Sequence, residues 1–74
     1  MKFDIFCEIQ KAKPWVADQE RVLFAETLAQ AKLADELGFR CWWEVEHHGA
    51  AEVSWSSAPE IFLTYLSQHT RRIR

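Results

Sequence analysis

One glycine does most to limit what this chain can fold into. Gly38 ends a long run of strong helix formers, Glu20 to Leu37, and with Phe39 it is all that separates them from Arg40 to Val45. The run is rich in Ala, Leu, Glu, Gln and Lys. Leu23, Phe24, Leu28, Ala31, Ala34 and Leu37 cover about half its circumference, the breadth of a helix lying on a sheet, with Thr27 and Gln30 interrupting the stripe. Asp18 is placed to cap its start, and Gly38 to end it in the left-handed conformation. Upstream, residues 2–9 alternate: Phe3, Ile5, Cys7 and Ile9 share one face and Lys2, Asp4, Phe6 and Glu8 the other. A strand, a long helix and a second strand after so tight a turn make a βαβ unit. Its strands are parallel and its crossover right-handed.

The second half repeats the theme. Along Arg40 to Val45, alternation puts Cys41, Trp43 and Val45 on one face and Arg40, Trp42 and Glu44 on the other. Residues 46–56 read as a loop. Ser57-Ala58-Pro59-Glu60 then forms a capping-box pattern, with Ser57 as cap and Glu60 as its partner. The helix it opens, from about Ala58 to His69, carries Phe62, Tyr65 and Leu66 on one side, and His69 complements the negative end of its dipole. Arg71 to Arg74 reads as the opening of a third strand. The order β-α-β-α-(β) predicts an α/β protein with a parallel sheet. Such a sheet is covered on both faces, which two βα units cannot do. Residues 1–74 are therefore expected to be a single partial domain, the N-terminal part of a larger α/β protein.

Composition narrows the function classes. With 49% hydrophobic and 27% charged residues, two Gly and two Pro, the chain is globular in character, not disordered or collagen-like. A net charge of −2 gives nucleic acid nothing to hold. Cys7 and Cys41 both fall in strands without a CxxC spacing, so free thiols in a reducing compartment are expected. Met1 to Phe6 alternates and contains an acid, unlike a signal peptide. No run approaches the ~18 apolar residues of a membrane span. A cytoplasmic protein is the expectation.

The residues that could carry chemistry gather in one place. In parallel α/β proteins, sites form at the carboxyl ends of strands, in the βα loops. Here that edge holds Glu8 and the loop with Trp15 after the first strand, and Glu46, His47, His48 and the loop through Trp55 after the second. The αβ turn at Gly38, by contrast, is minimal. Adjacent histidines at a strand end diverge, and no HExxH-like spacing is present, so a metal site is disfavoured. General acid–base work by one histidine suits imidazole, which titrates near neutrality, and a purely structural pair of histidines is the alternative. Trp42 and Trp43 read as packing residues, one toward the helices and one on the strand's other face. Trp15 and Trp55 could wall a planar ligand or simply cap a core. Glu8 and Glu44 are both expected on faces pointing away from the helices, solvated at the strand ends. A Gly-rich phosphate loop is absent.

Taken together, these residues resemble the bacterial luciferase-like, flavin-dependent monooxygenase family. The likeness rests on Met1-Lys2-Phe3 opening the first strand and on Leu33-Ala34 through Leu37-Gly38-Phe39 at the helix end. It rests above all on Trp43-Glu44-Val45-Glu46-His47-His48, which fits a W-x-x-E-H-H pattern, and on Thr70-Arg71-Arg72-Ile73-Arg74. The resemblance implies a (βα)8 TIM barrel to which this chain contributes β1, α1, β2, α2 and the start of β3. It implies reduced FMN as cofactor, with F420 in some relatives, and O2 as oxidant of an organic substrate. A flavin reductase and a homo- or hetero-oligomer are the implied partners. His47 would be the base near the flavin, with Glu46 and His48 shaping and orienting it. Glu8, Trp43 and Glu44 would line the flavin or substrate pocket. Glu44 and the Trp42-Trp43 pair depart from the family's usual smaller residues, which implies an atypical pocket. The competing readings are a non-catalytic α/β fragment acting through a partner, and another α/β-barrel enzyme with a coincidental Glu-His-His loop.

Overall fold

Alternating apolar side chains draw the two strands together. A computed structural model describes all 74 residues, in which β1 (Asp4–Cys7) and β2 (Cys41–Glu44) pair in parallel, Asp4 opposite Cys41 and Cys7 opposite Glu44. Helix α1 (Gln19–Glu36) crosses between them and α2 (Pro59–Ser67) follows β2. The Arg74 N–H donates to the Arg40 carbonyl (2.9 Å) and the Trp42 N–H donates to the Arg74 carbonyl (2.7 Å). These bonds flank Cys41 in the parallel pattern, so Arg74 takes the place of a third strand on the free edge of β2.

Helix α1 starts and stops for reasons visible in its ends. Gly38, at φ 85°, terminates it in the left-handed region that a glycine adopts without steric cost. The Gly38 N–H reaches the Asp35 carbonyl (3.3 Å) and the Phe39 N–H the Ala34 carbonyl (3.0 Å), the paired bonds of a Schellman stop. The start differs from expectation. Asp18 holds the cap position but lies at φ 64°, and its carboxylate turns to Arg21 (3.3 Å) instead of capping. Buried Gln19 ties the entry instead, its Oε1 accepting the Val16 N–H (3.3 Å). The Ser57–Glu60 capping box does not form either. The cap position is Ala58, one residue later, so the Ser57 hydroxyl caps nothing, while Pro59 opens the helix as expected. His69 lies beyond the end of α2, its ring edge-on to Tyr65 at 4.8 Å.

Both helices pack on one face of the strand pair. The core there is Ile9, Ala31, Trp42, Phe62 and Leu66, ringed by Ile5, Cys7, Leu23, Phe24, Leu28, Trp55 and Ile73. Phe24 of α1 meets Phe62 of α2 edge-on at 5.2 Å. Trp42 is the tryptophan turned to the helices (7% exposed), and Trp43 stands on the opposite face (57% exposed), where its Nε1–H donates to Asp4 (3.1 Å). Asp4 also receives a two-pronged guanidinium contact from Arg40 (3.0 and 2.7 Å). Since Glu44 shares the Trp42 face, it points toward the helices, contrary to the sequence expectation. Alternation groups Glu44 with Trp42 correctly but carries no sign of which face the helices cover. Cys7 and Cys41 are both free and lie on opposite faces.

One anchor had no sequence signature. Asp35, buried near the end of α1, accepts the backbone N–H groups of Arg71 (3.0 Å), Arg72 (2.9 Å) and Ile73 (2.8 Å). These donors, Arg72 and Ile73 foremost, hold its carboxyl below the usual carboxylate range. Through Asp35, the chain leaving α2 is fixed against α1 and delivered to the edge of β2.

Candidate functional site

The carboxyl edge of the sheet is where the chain departs from regular structure. After β1 the backbone reaches Ile9, buried and at φ 52°, a strained conformation for a β-branched residue. In this turn the Ile9 carbonyl accepts the Trp55 N–H (2.9 Å). The Ser54 hydroxyl donates to the neighbouring Glu8 carbonyl. The loop after β1 thus closes on the loop after β2. Trp15 and Trp55 meet edge-on at 5.4 Å, and Lys13, 5.2 Å over the Trp15 ring, pairs with Glu52 at 2.6 Å. That ion pair is exposed and contributes little by itself.

His47 follows β2 by three residues and is half-buried. Its backbone N–H donates to the Ser56 carbonyl (2.9 Å), and the Ser56 hydroxyl donates to the Val45 carbonyl (2.6 Å). It lines an open depression of about 350 Å³ together with Gly49, Ala50, Ala51, Ser54, Trp55 and Ser57. Gly49, at φ 65°, makes the bend, and the Val53 and Ser54 N–H groups close the turn onto the Ala50 carbonyl (2.8 and 2.9 Å). Trp55 and Ser57 are shared with an apolar groove of about 420 Å³ between α1 and α2, floored by Phe24, Ile61, Phe62 and Tyr65.

The other residues singled out by sequence are dispersed. Glu46 and His48 bond to one another (2.9 Å), both exposed, and neither is hydrogen-bonded to the His47 ring. Glu8 contributes its carbonyl to Ser54 and lines a different hollow, with Gln10 and the α1 residues Leu23, Thr27 and Gln30. Trp43 is on the face away from the helices, and Glu44 is on the face toward them. None of Glu8, Trp43 and Glu44 lines the His47 depression. Glu44 has its own surroundings: its Oε2 accepts the Trp42 Nε1–H (2.7 Å), while its Oε1 is buried without a partner. Burial pushes its carboxyl up, against the pull of Trp42, Ser56 and Cys7. The Cys7 thiol beside it is pushed up to about 11, by burial first and by the Glu44 charge second. Nowhere do three His, Cys, Asp or Glu side chains converge on a point that could hold a metal ion. Ser54 and Ser56 were missed by sequence reasoning. Their only signal is that they interrupt the apolar Val53 and Trp55 in a loop, and that signal is weak.

A parallel strand pair with helices on one face, and with its longest loops and a histidine-lined depression at the carboxyl edge, defines an α/β arrangement with elaborated βα loops. The comparison with known sequences gives that class a family. The luciferase-like monooxygenase family matches residues 1–74, and the chain belongs to it. Its relatives include an N-acetyl-S-alkylcysteine monooxygenase of Bacillus subtilis (strain 168), 44% identical over 48 residues, which are 65% of this chain and 14% of that protein. Another is the uncharacterized protein YwcH of the same organism, 37% identical over 49 residues, 66% of this chain and 14% of that protein. The match thus spans about one seventh of either relative's length. No solved structure matches the chain. No helix is long and apolar enough to cross a membrane.

Proposed function

We propose that this chain is the N-terminal β-α-β-α part of a (βα)8-barrel, flavin-dependent monooxygenase that uses reduced FMN and O2 to oxygenate an organic substrate, with His47 as the base. The observation that carries the reading is the setting of His47. It is the one ionisable residue lining the depression at the carboxyl edge of β2, and the backbone leading into it is fixed by Ser56 at Val45 and at His47 itself. The residues around it suit one part of a flavin. Trp55 offers an aromatic wall, and Ser57 and His47 offer polar atoms to a ring edge. No lysine or arginine lines that depression, so a phosphate group would be held by other parts of the protein.

When bound, reduced flavin supplies the electrons that activate O2. What this chain supplies is a proton acceptor at the His47 imidazole, a wall at Trp55, and two loops joined to one another at the carboxyl edge. Glu46 and His48, paired to each other, act on the shape of the loop. The proposed partners are a reductase that delivers reduced FMN, and further copies or subunits of the enzyme. The proposed compartment is the cytoplasm. Because one relative is named for N-acetyl-S-alkylcysteines, small thioethers of that kind are the first substrates to offer. The test is oxygen-isotope incorporation by the complete protein. With reduced FMN and ¹⁸O₂, label appears in the product and depends on both. Turnover that proceeds without flavin, or places no label from O2 in the product, contradicts the assignment.

A further inference from the structure

We infer that Ser54 and Ser56 are positioning residues that set the placement of the His47 imidazole. The inference rests on the reading of His47 as the base and adds the groups that hold it. The imidazole has no hydrogen bond of its own to the rest of the chain, so its place is decided by its backbone. That backbone is clamped by Ser56, whose carbonyl receives the His47 N–H and whose hydroxyl donates to the Val45 carbonyl. Both residues flanking Glu46 are therefore tied to one serine. Ser56 is in turn held by Ser54. Its N–H donates to the Ser54 Oγ (3.0 Å), and the same Oγ donates to the Glu8 carbonyl. Between the serines, the Trp55 N–H takes the Ile9 carbonyl.

Ser54-Trp55-Ser56 thus acts as a crosspiece against both strand ends, beyond the point where β1 and β2 stop pairing. Both serines are 3% exposed, so no water stands ready to replace either hydroxyl. The left-handed Ile9 supports the same conclusion from a separate direction. A β-branched residue stays at φ 52° only where its neighbours hold it there, and its carbonyl is engaged by this crosspiece. Exposed hydroxyls that merely decorate a loop would show none of this.

The test uses the complete protein carrying Ser56→Ala, Ser54→Ala and the hydroxyl-retaining Ser56→Thr, with His47→Gln for comparison. The readouts are kcat and KM for reduced FMN, and the NMR position and titration of the His47 ring. A displacement of about an ångström at a reacting group lowers turnover by about 100-fold. Each alanine variant is expected to lose activity on that order in kcat, with KM within about twofold and the His47 ring signals shifted. Ser56→Thr is expected to recover most of the loss. Ser54 is hydrogen-bonded toward His47 only through Ser56, and Ser54→Ala serves if Ser56→Ala does not fold. His47 signals and titration unchanged in a folded alanine variant overturn the inference, whatever the rate. The base assignment fails separately, through undiminished turnover in His47→Gln.

Discussion

Glu44 is the residue at which strand alternation and burial disagree most. It is a carboxyl on the helix-facing side, one oxygen bound to Trp42 and the other buried without a partner. Because burial raises its folded-state pKa, it favours the folded state fully below the ordinary carboxylate value of about 4.3, and that contribution fades as pH rises through the folded value. Glu44→Gln keeps an oxygen for the Trp42 Nε1–H and removes the charge. The variant is expected to melt higher than the parent at pH 7, with the difference shrinking toward pH 4. Thermal unfolding of both proteins at the two pH values checks this, and a variant less stable at pH 7 contradicts it. The sequence showed that Trp42 and Glu44 share a face, and it predicted one tryptophan toward the helices and one away. It did not show which, because the charged residues of the strand, Arg40 and Glu44, alternate with Trp42 and mark as solvent the face that the structure turns to the helices.

At the scale of elements, the tight Gly38 turn and the helical run before it were legible, and the structure adds the Schellman bonds that make the turn. Boundaries shifted by one or two residues, and both proposed helix caps failed, because a cap depends on the backbone angle at one position more than on its residue type. The loop after β2 was legible only as a loop, since its order comes from bonds to Glu8 and Ile9, far away in sequence. Asp35 is the element-scale counterpart, a single carboxylate joining the end of α1 to the chain leaving α2. Its depressed pKa means its stabilisation is present above the ordinary carboxylate range and is lost as pH falls through the folded value. Asp35→Asn leaves one oxygen for three N–H donors and brings in an NH2 that cannot accept. We expect a lower melting temperature than the parent at pH 7, with the gap closing in acid. A melting temperature equal to the parent's at pH 7 removes Asp35 from this role.

The molecule as a whole shows a covered face and an open one. Phe6 and Trp43, paired across the strands, stand exposed on the side away from both helices. That distribution suits a segment whose second face is covered by further chain, as the proposed barrel would provide. Family membership was legible in the Glu-His-His element within its βα setting. The dispersal of Glu8, Trp43 and Glu44 was not, because residues that share an edge in sequence can face opposite ways across it. The central claim is that His47 is the base. Steady-state oxygenation by the complete protein, comparing the parent with His47→Ala, tests it most directly. The account predicts a fall in kcat of about 100- to 10,000-fold, the range of general acid–base catalysis, with reduced FMN still bound. A His47→Ala enzyme that turns over within about twofold of the parent would contradict it.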